Sequence, residues 1–185
     1  MRLFVLYLRS RSVPAALATV IVGALGMWLI DRPDLRLVAL AIALGVSVAA
    51  GGLGGADVDL DRTAGFPWPP RRAVHLLAIV AVVSGLVISA DHDVVELIVR
   101  DSAGLTGLAA LGATVLGRQL AWAPPVVWTT VSVNLPVPDE VITWMLEPPG
   151  TTAATVTAAA LALGGAVVYT EVAVALCRHR RVDQR

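Results

Sequence analysis

Three groups of side chains in this sequence could do chemistry: the aspartates at 57, 59 and 61; the set Asp91, His92, Asp93 and Glu96; and the single Glu171. The alternating aspartates begin like a calcium loop, in which oxygen ligands fall at every second position. Arg62 stands where that loop needs glycine, and Trp68 where it needs a bidentate glutamate, so this stretch is expected to be a solvated acidic linker. In the second set, His92 and Glu96 would share a helix face at i and i+4, yet ordinary interfacial loops collect the same residues, and no metal is expected. Glu171 lies inside an apolar run, where a carboxylate costs at least a few kcal/mol unless it is paired or close to an interface. It is the candidate intramembrane polar site, either paired with Arg118 or Arg72, used for a proton or substrate, or reaching the headgroups.

Other chemistries lack their residues. The sequence has no lysine, which excludes a Walker-type phosphate loop and a pyridoxal Schiff base. A lone Cys177 forms no internal disulfide, and a formal net charge of zero gives no basic footprint for nucleic acid. Histidines occur only at 75, 92 and 179, and no nucleophile elbow or zinc-protease helix motif is present. An enzyme is therefore not expected.

The elements that must carry these groups are membrane helices. Hydrophobic residues make up 57% of the 185 and charged residues 15%, with a mean hydropathy of +0.77, against about 25% charged in soluble domains. The expected fold is all-α and polytopic, a single transmembrane domain over 1–185. Its spans fall at about 13–30, 37–53, 73–90, 102–117, 122–135 and 152–176. A signal peptide is the alternative for the first, whose apolar run is longer than an h-region. Small residues at Ala49–Gly55 would let another backbone approach the second, or mark a frayed end. Stripes at Thr106, Ala110 and Thr114, at Ala109, Ala113 and Gly117, and at Ala158, Ala162 and Ala166 mark helix-packing faces.

Asp139 is a good N-cap, and Val141 with Met145 and Ile142 with Leu146 keep helical spacing. Residues 139–147 are thus expected to form a short re-entrant or interfacial helix between spans five and six, with Trp144 at headgroup depth. A kinked continuation of span five is the alternative.

Arginine placement orients the bundle. With both termini cytoplasmic, the inner segments hold Arg2, Arg9, Arg11, Arg62, Arg71, Arg72, Arg118, Arg178, Arg180, Arg181 and Arg185; the outer ones hold only Arg32, Arg36 and Arg100. This asymmetry follows the positive-inside rule and places the polar stretch 57–75 in the cytoplasm.

That stretch, in LDRTAGFPWPPRRAVHLL, and the later RDSAGLTGLAALGATVLGRQLAWAPPVVW (Arg100–Trp128) resemble membrane subunits of actinobacterial ABC (ATP-binding cassette) transporters. The resemblance covers the loop and spans three to five well and the termini loosely, and there is no long amphipathic helix before span one. It implies an exporter-class permease of the bacterial plasma membrane, with six spans per subunit. It also implies a homo- or heterodimer of permeases and a separate ATPase that binds ATP and Mg; no cofactor is expected on this chain. The loop 57–75 would be the coupling element. Phe66 and Trp68 would anchor the partner, Pro67, Pro69 and Pro70 would stiffen the loop, and Arg71 and Arg72 would pair with acidic groups of the ATPase or with anionic headgroups. The competing expectation is a non-transporting membrane scaffold or assembly factor that recruits a cytoplasmic protein.

Overall fold

The computed structural model describes residues 18, 21–23, 25, 26, 29, 34–53, 68–90, 93–134 and 139–182; side chains at 68, 69, 71, 118 and 172–182 lie outside the description. All regular structure among these residues is helical. We number the helices α1 (Leu35–Ala50), α2 (Trp68–Ala90), α3 (Val95–Val115), α4 (Ala123–Asn134) and α5 (Thr152–Val182), with single 3-10 turns at Arg118–Leu120 and Trp144–Leu146. The first expected span, 13–30, falls mostly outside the described residues, as does most of the loop 57–75.

Among the described residues, two stretches are long and apolar enough to cross a membrane, Arg72–Ala90 in α2 and Thr152–Glu171 in α5. Only 28% of the first and 22% of the second is buried, which separates them from the enclosed core helix of a soluble protein. Val74, Leu77 and Val82 on α2, and Val156, Leu163 and Val167 on α5, are exposed. Helix α1 is apolar but has 16 residues, and α4 has 12, about 18 Å of rise against roughly 30 Å of hydrocarbon. Helix α3 has 21 residues but carries Arg100 and Asp101 in its first two turns.

Helix α3 is the axis of the bundle. It packs against α1, α2, α4 and α5, most extensively against α5, and its buried positions run almost unbroken from Leu97 to Ala110. Small residues make this possible. A Cβ on Gly107 would run into the Leu161 carbonyl and the Ala162 backbone, and one on Gly165 would run into the backbone of Gly107. The two helices therefore touch main chain to main chain, the arrangement that small-residue stripes permit within a bilayer. Helix α3 stops at Gly117, whose φ of +85° suits the left-handed C-terminal position that glycine fills most readily.

Two boundaries differ from those expected. Helix α2 begins at Trp68 rather than 73, because Pro69 and Pro70 sit in the first turn, where no amide hydrogen is needed. Helix α3 begins at Val95 rather than 102, so Arg100 and Asp101 are helix residues and not loop residues.

Candidate functional site

The segment 139–147 is not a helix. The Asp139 carboxylate accepts from the Val141 amide at 2.8 Å, closing a tight turn rather than starting a helix, and only Trp144–Leu146 forms a single 3-10 turn. The reason lies at its end. Glu147 precedes Pro148, and the proline ring excludes the helical conformation there; Glu147 is extended, with ψ of 141°. Nine residues between Asp139 and that barrier are too few for an isolated helix to be stable. Four carbonyls between Ile142 and Pro148 accept from side chains of α3 and α4.

Arg100 takes most of them. Its Nη2 donates to the Trp144 carbonyl at 2.9 Å and the Glu147 carbonyl at 3.0 Å, and its Nη1 to that of Pro148 at 3.4 Å. Its Nε donates to Asp101 Oδ1 at 2.9 Å, with the two side chains 5% and 0% exposed. A guanidinium has five N–H donors in a fixed fork, so it can serve a carboxylate and several carbonyls at once. Burying such a charge is costly unless it is both paired and hydrogen-bonded, and here it is both. From α4, Trp128 Nε1 and Ser132 Oγ both donate to the Ile142 carbonyl, at 3.0 and 2.7 Å. The Gly150 amide donates to Glu96 Oε1 at 3.3 Å. Glu96, expected among the outer polar residues, thus steadies the turn before α5.

Trp144 fills the centre of this cap. It is completely buried, with its ring against Gly104, where a Cβ would stand 2.5 Å from Cη2. Only glycine at 104 leaves room for the indole.

A second arginine junction ties α2 to α5. Arg72 Nη1 donates to the Tyr169 carbonyl at 3.1 Å while its guanidinium carbon lies 5.0 Å from the centre of the Tyr169 ring. The Tyr169 hydroxyl donates to the Leu53 carbonyl, just past the end of α1. Three helices thus meet at one tyrosine.

The expected site residues are dispersed. Phe66 and Pro67 lie outside the described residues; Trp68, Pro69 and Arg71 are placed in the first turn of α2 by backbone only, and Pro70 is exposed. Arg72 turns inward to Tyr169. Glu171, the candidate intramembrane site, is exposed rather than buried in the bundle. Asp91 and His92 lie outside the described residues, and no group of three potential metal ligands occurs among those described. The opposite charges of Arg100 and Asp101 were visible in the sequence, although the expected span began only at 102. Their carbonyl partners, more than forty residues away, were not.

No family model, curated protein or solved structure matches the chain.

Proposed function

We propose that this chain is the permease subunit of an ABC-type exporter, with six spans, both termini in the cytoplasm and a second permease subunit beside it. A separate ATPase, which binds the ATP and Mg, docks on 57–75, and closure of two ATPases reorients the paired permeases. The observation that supports this most is the Arg72–Tyr169–Leu53 junction. The docking residues Phe66–Arg71 run directly into it, so a load applied there passes through Arg72 to α5 and through Tyr169 to α1. A loop that merely tethered a soluble protein would need no such connection to three helices. The mostly unburied apolar faces of α2 and α5 supply the lipid-facing surface that the reading requires.

The test is co-purification of the tagged full chain in mild detergent. The expected result is capture of a nucleotide-binding subunit, and loss of that capture in Phe66→Ala/Trp68→Ala with the unfolding midpoint unchanged. Capture of a cytoplasmic partner without ATPase activity would favour the scaffold reading instead. Capture of an ATPase that the double variant leaves intact would move the docking surface away from this stretch.

A further inference from the structure

We propose that the leucine face of α1 is covered by residues 13–30 of the same chain, whose small residues receive Leu37, Leu40 and Leu44. These leucines recur at helical spacing along one side of α1 and are 39%, 43% and 48% exposed. Val38, Ala39, Ile42, Ala43 and Val46, on the other side, are buried in the bundle. Helix α1 thus has one side packed and one side open.

The occupant follows from the chain that precedes α1. Residues 18, 21–23, 25 and 26 are helical. At helical spacing Ala15, Thr19, Gly23 and Gly26 share one side of that run, and Ile21 and Leu25 fall on the other. A Cβ at Gly23 or Gly26 would meet nothing within 4 Å among the described residues, so this side is open as well. Only the residues 30–33, which include Pro33, separate Leu29 from the N-cap Asp34. Extended, that link spans roughly 17 Å, enough to join two helix axes packed about 8–10 Å apart. Links this short connect antiparallel neighbours.

Register selects the pairing. Counted outward from the Asp31–Arg32 bond, Leu37, Leu40 and Leu44 stand as far along the chain as Gly26, Gly23 and Thr19 do on the other side. Antiparallel helices rise equally per residue, so residues at equal counts lie at equal depth. The half-buried Val48 continues the series opposite Ala15. Every leucine of the open face therefore meets a small residue, and small residues are what let helices approach closely in a bilayer. Acyl chains would cover the leucines at any register and would leave the match unexplained. A second copy carries the same small side, but the short link holds each run beside its own α1. The pairing holds whether the bundle is a permease or a scaffold.

The test is disulfide trapping in the full chain, in membranes, on a Cys177→Ser background that leaves no other thiol. Gly23→Cys with Leu40→Cys should bring two Cβ atoms within disulfide reach. On mild oxidation this pair should lose both thiols to maleimide labelling and remain monomeric on a non-reducing gel. Thr19→Cys with Leu44→Cys should do the same, and it keeps both glycines in place. Ile21→Cys with Leu40→Cys, at similar depth but on the far side of the run, should keep its thiols. A dimer band from either facing pair would give the leucine face to a second copy and overturn the same-chain assignment. Thiols retained in both facing pairs, or lost equally in the Ile21 pair, would leave the face to lipid and overturn the packing.

Discussion

Arg100 and Arg72 both direct guanidinium N–H groups at backbone carbonyls, yet they do so in opposite settings. Arg72 lies near the start of α2; Arg100 lies two turns into the helix that follows the other end of α2. Arg100 is buried, carries its own carboxylate in the adjacent Asp101, and binds three carbonyls of one turn. Arg72 is half-buried and rests on one carbonyl and one aromatic ring. A buried charge that loses its partner is left uncompensated, whereas a half-buried one can turn to water or to a headgroup. The Arg100 end is therefore built to hold one arrangement, and the Arg72 end can exchange its contacts at small cost. The two ends thus differ in how firmly their arginines are held.

The largest effect is expected at the buried pair. Asp101→Leu should destabilise the bundle by about 3–5 kcal/mol, the usual penalty for breaking a buried ion pair on one side. Unfolding midpoints in a fixed detergent would check this, and Arg100→Met with Asp101→Leu should recover part of the loss. A double variant no more stable than the single would mean that the carbonyl contacts, not the charge pair, hold the cap.

Next is the α3–α5 crossing on which both ends depend. Gly107→Ala forces a methyl group against the Leu161 and Ala162 backbone, for an expected cost of about 1–3 kcal/mol. Normal stability in that variant would rule out the main-chain contact. At the other junction, Tyr169→Phe removes the bond to Leu53 and should cost about 0.5–1.5 kcal/mol. Arg72→Lys keeps the charge but loses the planar fork over the ring; its effect should stay below about 1 kcal/mol in the same assay. If Arg72→Lys proved as damaging as Asp101→Leu, the contrast between the two ends would fail.

Helix-forming runs were legible in the sequence because long apolar stretches with small residues have few other uses, and α1, α2, α4 and α5 fall close to where those runs lie. The start of α3 was hidden because hydropathy treats Arg100 and Asp101 as loop residues. Their burial depends on carbonyls that come from the turn at 144–148. That turn was misleading in its own way. Val141 with Met145 and Ile142 with Leu146 keep a helical period, but the proline after Glu147 and the short length outweigh it. The burial of Trp144 was hidden because nothing nearby in sequence reveals the glycine it covers, forty positions earlier. Glu171 stood out as a charge in an apolar run, and the bundle simply leaves it on the surface.

The most direct test of the contrast between the two ends replaces each arginine by leucine and compares the two unfolding midpoints in one detergent. The expected result is that Arg100→Leu collapses the fold or lowers its midpoint severely while Arg72→Leu shifts it slightly. Equal losses, or a larger loss from Arg72→Leu, would contradict it.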